Sequence, residues 1–219
     1  CPICGTDMPA TSISEDTERI CYAIYAQTKT HQEDMVLSMG RAYKIPSVAL
    51  RYFNIFGPRQ SLSNPYTGVG AIFMSRLKNG KRPVIYEDGK QSRDFISVHD
   101  IVQANMLAME QSEGDYQAFN VGSGSGTSIE QIALTLSNIL GVEHLTPEIT
   151  GSYREGDTRH SIADISRIKK TLGFQPSVSF QHGMEELVEW AREREAVDGF
   201  AKAQAELQQR GLTATLDTE

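Results

Sequence analysis

The run from Ala23 to Phe53 constrains this chain most. Ile24, Thr28, His31, Met35, Met39 and Tyr43 recur at spacings of three and four, so Ala23 to Tyr43 is expected as a helix. Pro46 cannot extend that helix, and it biases the residue before it toward extended backbone. Beyond Ser47, Val48 to Phe53 is mostly apolar, the composition of a strand buried in a parallel sheet. Helix, short link and buried strand make half of a doubly wound unit, so the expected fold class is α/β.

Tyr25 and Lys29 sit four residues apart in the first turns of that helix, which brings both side chains out on one face. A cation beside a phenol favours the phenolate, and the pair is then a usable acid/base near neutral pH. The spacing alone is weak, because Tyr86 and Lys90 repeat it. There, Asp88-Gly89 is a turn signal, so that copy reads as the end of a strand.

Downstream of the Tyr/Lys helix lies Leu50-Arg51-Tyr52-Phe53-Asn54-Ile55-Phe56-Gly57-Pro58-Arg59. Then come Gly89-Lys90-Gln91-Ser92-Arg93-Asp94-Phe95-Ile96-Ser97-Val98-His99-Asp100, Phe119-Asn120-Val121-Gly122 and Arg154-Glu155-Gly156-Asp157. In this order, over roughly Tyr22 to Trp190, the motifs resemble the extended short-chain dehydrogenase/reductase family, specifically its NAD-dependent nucleotide-sugar epimerases and dehydratases. The likeness is to the dTDP-rhamnose 4-epimerase and UDP-glucose 4-epimerase types. Gln60 to Val69 and the cysteine-containing stretch before Tyr25 favour the former.

The resemblance implies the C-terminal part of a doubly wound Rossmann-like domain plus a smaller α/β substrate-binding domain. Residues 1–22 are then an inserted loop and 23–60 the partial Rossmann-like part with its catalytic helix. Residues 61–190 are mainly substrate-binding, with 94–122 returning to the Rossmann-like sheet, and 191–219 form a helical tail. It also implies that Tyr25 is the acid/base and that Lys29 supports it and bonds the nicotinamide ribose. Tyr52 and Phe53 lie near the nicotinamide on this reading, or more simply are core aromatics. Asn54 holds the diphosphate side of the substrate, or is a strand-end turn former. The N–H groups of Val69 and Gly70, at a helix start, favour an anion. Arg93 and Arg154 clamp the diphosphate, since guanidinium forks match phosphate oxygens. Asp157 accepts from ribose hydroxyls, and Tyr86 packs on the base or belongs to the core. The Ser/Thr partner expected upstream of the Tyr is not identifiable. The family often has Pro and Ser just before the Tyr, where the run here is Cys21-Tyr22-Ala23-Ile24.

The family holds NAD on a glycine-rich turn upstream of the Tyr/Lys pair. The only glycine-rich candidate here, Gly122-Ser123-Gly124-Ser125-Gly126, lies far downstream. It reads as a loop into a helix with Thr127 or Ser128 as N-cap. The main NAD loop is therefore expected to be missing, with the first residue, Cys1, marking an N-terminal truncation. Cys1 and Cys4 have the spacing of half a structural zinc site, or are two free thiols in a loop.

Among 219 residues the net charge is −7, which argues against nucleic acid or an anionic membrane as main partner. No apolar run is long enough to span a bilayer, and three cysteines fit a reducing compartment, so a cytoplasmic enzyme is expected. The expected partners are a nucleotide-diphosphate sugar and, in the full-length enzyme, a second copy, paired through the Ala23–Tyr43 helix. Further helices are expected from Gly70 to Leu77, from Asp100 (as N-cap) to Glu110, and over Ile129–Leu140, Ile165–Leu172 and Glu185–Glu195. Short strands are expected at Val84–Tyr86 and Asp94–Val98. The leading expectation is a nucleotide-sugar 4-epimerase. A 4,6-dehydratase or decarboxylase of the same family, and a non-catalytic sugar-nucleotide-binding fragment, are the alternatives.

Overall fold

A computed structural model describes residues 5–6, 8–64, 68–154, 157–210 and 213–215; the side chains of 154, 207 and 213–215 are outside the description. In chain order, α1 (Ile24–Tyr43) leads into β1 (Ala49–Tyr52) and β2 (Asn54–Phe56). Then follow α2 (Val69–Lys78), β3 (Val84–Ile85), β4 (Ser92–Ser97), α3 (Val98–Glu110), β5 (Ala118–Val121), β6 (Gly126–Ser128) and α4 (Ile129–Leu140). The chain continues through β7 (Glu148–Ile149), β8 (Ser152–Arg154), β9 (His160–Ser161), α5 (Ser166–Leu172), α6 (Phe180–Arg192), α7 (Phe200–Gln209) and β10 (Thr213–Thr215).

The expected helix-to-strand unit is present. α1 ends at Lys44 in the left-handed conformation (φ 57°), two residues before Pro46, and β1 pairs in parallel with β5, Arg51 opposite Asn120. The apolar row that identified the helix faces solvent, however: Ile24, Met35, Met39 and Tyr43 are exposed. The row against the body is Ala26, Thr30, Glu33, Leu37 and Gly40. Small residues let the helix approach closely, and a Cβ at Gly40 would lie 2.5 Å from the Ser47 hydroxyl oxygen.

Two buried clusters organise the rest. Phe119, Val121, Ile96, Ile168, Leu172 and Phe174 pack around β5, α3 and α5. Phe73, Met74, Ile132, Leu136, Met184 and Leu187 join α2, α4 and α6. Strand β4 borders both, pairing in parallel with β2 through its second half and with β9 and, antiparallel, β6 through its first. Phe56, Phe95 and Phe180 form an aromatic triangle there, with centroids 5.9 Å apart.

Several boundaries differ from expectation. Ser97, not Asp100, caps α3, its hydroxyl accepting from the His99 N–H; Asp100 is buried and accepts from Ser177 and Val178 instead. α6 begins at Phe180 because Ser179 caps it. The tail is not one helix: 193–199 interrupts it, and β10 pairs antiparallel with β8. Within the segment expected as an inserted loop, the described residues 13–15 pack on the body. Ile13 bridges to Ala163, and Glu15 is buried, accepting the Asn120 N–H at 2.8 Å.

Candidate active site

The first turns of α1 carry Tyr25 and Lys29 on one face, with the Lys29 ammonium 5.6 Å from the centre of the Tyr25 ring. Tyr25 is 73% exposed. Among the described residues neither polar group has a hydrogen-bond partner, so both are presented outward.

The helix is oriented from below by a half-buried ion pair. Arg51 on β1 donates from both arms of its fork to Glu33, at 2.7 Å each, and also to the Glu15 carbonyl at 3.1 Å. Its guanidinium is held charged above the ordinary range, first by the hydrogen bond to Glu33, against the opposing effect of burial. Arg19 adds a second contact to Glu33 at 3.1 Å. A cavity of about 340 Å³ lies between this pair and the 13–21 segment, lined in part by Cys21, Thr30, Arg51, Phe53 and Asn120.

Tyr52 and Phe53 point to opposite sides, as neighbours in extended backbone must. The Tyr52 hydroxyl donates to Asn105 on α3 at 2.9 Å, while Phe53 packs toward the cluster around β5. Asn54 pairs with Phe95 of β4, two residues beyond Arg93. Gly70 sits over the Phe95 ring, where a Cβ would be 3.8 Å away. The first intrahelical bonds of α2 run from the Ala71 and Ile72 N–H groups to the Gly68 carbonyl, so those of Val69 and Gly70 precede them. Asn54 and Gly70 therefore both lie at Phe95, inside β4 and two residues along the strand from Arg93.

Arg93 donates to Asp157 at 3.1 Å and to the Arg159 carbonyl at 2.9 Å, so two expected ligand groups are brought together as a pair. Sequence reasoning passed over Arg159. It bridges Glu87 at 2.6 Å and Asp88 at 2.8 Å, and its hydrogen bond is the main cause holding the Asp88 carboxyl below its usual range. Tyr86 is half-buried at this turn, its carbonyl accepting from Gln91 at 2.8 Å. The Glu87 N–H bonds to Ser152 of β8, the strand whose backbone includes Arg154; the Arg154 side chain is outside the description. As expected, Tyr86 and Lys90 share no helix: the turn has Gly89 at φ 79° and Asp88 accepting the Lys90 N–H.

For the NAD that the resemblance implies, the residues fit one end only. Tyr25 and Lys29 offer free polar groups to a ribose and nicotinamide. The Gly122–Gly126 loop offers nothing to a pyrophosphate, because its donors are used internally. Ser123 and Gly124 N–H groups donate to the buried Asp94 carboxylate at 2.7 and 2.9 Å, and Ser128 caps α4. Cys1 and Cys4 lie outside the described residues, and among those described no group of three or more His, Cys, Asp or Glu could hold a metal. No described helix is long and apolar enough to cross a membrane.

Comparison with known proteins identifies the family. A family model described as the NAD dependent epimerase/dehydratase family matches residues 5–122. The dTDP-L-rhamnose 4-epimerase of Burkholderia thailandensis is 36% identical over 180 residues, 82% of this chain and 49% of that protein. A UDP-N-acetyl-alpha-D-glucosaminuronate decarboxylase of Bacillus cytotoxicus is 32% identical, over 83% of this chain and 59% of its own length. The crystal structure of the Thermotoga maritima UDP-glucose 4-epimerase with UDP-glucose superposes with a TM-score of 0.77 at 36% identity, covering 86% of this chain and 60% of that one. The chain thus spans between about half and 60% of the length of these relatives. Asn54, expected at the end of the strand after the Tyr/Lys helix, instead opens β2, because β1 stops at Tyr52. The family match over more than half of its residues and the 36% identity to the Burkholderia thailandensis enzyme show that this chain belongs to the NAD-dependent epimerase/dehydratase family.

Proposed function

We propose that the enzyme carrying this chain is a nucleotide-sugar 4-epimerase. The observation that supports it most is the Tyr25/Lys29 pair, outward-facing and without other partners among the described residues at the start of α1. NAD, when bound, supplies the oxidant that the sugar carbon needs and returns what it took; its glycine-rich loop is not among these 219 residues.

On this reading Tyr25, as phenolate, takes the proton of the sugar 4-hydroxyl as that carbon is oxidised. Lys29 favours the phenolate by its charge and bonds the nicotinamide ribose. The 4-keto sugar turns over in its pocket, and Tyr25 returns the proton to the oxygen as the carbon is reduced on its other face. Of the two neighbouring aromatics only Phe53, which lines the cavity beside Cys21 and Thr30, borders the nicotinamide; Tyr52 points the other way, to Asn105 on α3. Asn54 and the N–H groups of Val69 and Gly70 hold the diphosphate, together with Arg93 and Arg154. Asp157 takes the nucleotide ribose and Tyr86 the base. A sugar-nucleotide substrate is supported by the UDP-glucose seen with the Thermotoga maritima relative. The similarity to the Bacillus cytotoxicus decarboxylase supports sugar-nucleotide decarboxylation as the second reading.

We also infer a cytoplasmic homodimer that buries the outer face of α1. Its exposed Ile24, Met35 and Met39 support that contact.

The test supplies NAD with dTDP-L-rhamnose or UDP-glucose and follows the sugar by proton NMR. Appearance of the C4 epimer is expected. Loss of carbon dioxide from a uronic-acid nucleotide without epimer formation would favour the second reading, and no conversion at all would sink both.

A further inference from the structure

Lys29 and Glu33 are four residues apart on α1, the spacing at which opposite charges on a helix meet. Glu33 is thus the nearest carboxylate in sequence register to the cation that serves Tyr25. Yet the structure pairs them with different partners. One Glu33 oxygen takes Arg51 Nη2 at 2.7 Å and Arg19 at 3.1 Å, and the other takes Arg51 Nε at 2.7 Å. Lys29 is exposed and faces the Tyr25 ring.

We propose that Arg51 is a positioning residue that holds the Glu33 carboxylate away from Lys29, leaving the ammonium free for Tyr25. The inference rests on the acid/base reading of Tyr25 and Lys29.

Three observations carry it. The Arg51 fork occupies both carboxylate oxygens in parallel, which a lysine, as a point charge, cannot match. The pair is sheltered, with the Glu33 and Arg51 side chains 14% and 25% exposed, so water weakens it less than it would a Glu33–Lys29 contact at the surface. Arg51 is itself fixed by strand register against Asn120 and by its bond to the Glu15 carbonyl. Arg19, 39% exposed and touching Glu33 by one nitrogen, could not hold both oxygens alone. With Arg51 gone, Glu33 turns to Lys29, and the charge that favours the Tyr25 phenolate is neutralised.

A strut that merely fixed the angle of α1 would fail whichever partner were lost. A guard fails only while the carboxylate remains. Steady-state kinetics and thermal unfolding of the NAD-loaded enzyme, for the parent, Arg51→Met, Arg51→Met/Glu33→Gln and Tyr25→Phe, separate the two. Arg51→Met is expected to lower kcat about tenfold, and adding Glu33→Gln to restore it to within about threefold of the parent. Both variants should melt at a similarly lowered temperature, since both lack the ion pair. Equal kcat in the single and double variants would overturn the proposal. Should Arg51→Met not fold, Arg51→Lys keeps a cation but frees one Glu33 oxygen; a kcat loss not recovered by Glu33→Gln, or no loss, overturns it equally. Tyr25→Phe at the parent rate would remove the acid/base reading and this inference together. An inactive Tyr25→Phe with no rescue of Arg51→Met removes this inference alone.

Discussion

The Asp94 carboxylate sits inside the Gly122–Gly126 loop, taking the Ser123 N–H and hydroxyl at 2.7 Å each. Gly124 adds a bond at 2.9 Å and Ala163 another at 3.1 Å. A loop that resembles a phosphate cradle in sequence is therefore a socket for the protein's own anion. Gly122 is needed for the fit, since a Cβ there would come within 2.6 Å of an Asp94 oxygen.

The first prediction follows from that occupancy. The 219-residue chain by itself should show no tight, saturable binding of NAD by calorimetric titration. A stoichiometric, high-affinity isotherm would place a cofactor-binding loop within these residues.

Removing the socket's anion should be costly. Asp94→Ala takes the acceptor from the buried Ala163 N–H and from the part-buried donors of Ser123 and Gly124, and an unmet buried group costs about 1–3 kcal/mol. A loss of about 1–3 kcal/mol in chemical denaturation is expected, with Asp94→Asn intermediate.

How much of this was legible beforehand differs by element. α1 announced itself by period and by Pro46, and β1 by its apolar run, because both signals are local. Which face of α1 turns inward was not legible. Counting apolar residues selects the Ile24–Tyr43 row, whereas close approach selected the small residues and Glu33. The Tyr25/Lys29 pair, Arg93 and Asp157 stood out through their motifs, but that Arg93 bonds Asp157, 64 residues away, did not. Arg159 and Glu15 did not, since their importance comes from partners distant in sequence, Glu87 and Asp88 for the first and Asn120 for the second. Asp100 looked like a cap because it starts a helical pattern, but its oxygens are committed to Ser177 and Val178.

Acid should expose the network at the start of α7. Burial pushes the Asp198 carboxyl up, but the bond from Lys81, that from the Phe200 N–H and the nearby Arg76 outweigh it, leaving the group below its ordinary 3.8. A carboxyl depressed in the folded state stabilises fully above its unfolded value, and that contribution is lost as pH falls through the folded one. Urea unfolding should find Asp198→Asn less stable than the parent at neutral pH, with the gap closing below pH 3.8. A gap that stayed constant into acid would contradict the assignment.

The outer face of α1 should govern assembly. Met35→Glu/Met39→Glu places charges on two exposed apolar positions of one helical row, and in sedimentation the double variant of the enzyme should run as a monomer where the parent runs as a dimer. A parent that is monomeric at working concentration would count against the contact.

Catalysis should depend on Tyr25 in a specific way. Tyr25→Phe keeps the ring but removes the oxygen that carries the proton, so sugar-nucleotide affinity should survive while turnover falls. Acid/base groups contribute about 10²–10⁴-fold, and a loss of that order is expected in kcat. Lys29→Ala should lower kcat and also weaken NAD binding, because one ammonium serves both the phenol and the ribose. That difference separates the two roles: KM for the sugar nucleotide unchanged in both variants, cofactor affinity changed only in the second. Tyr25→Phe turning over at the parent rate would remove the acid/base assignment from this helix, whatever the likeness of the surrounding fold.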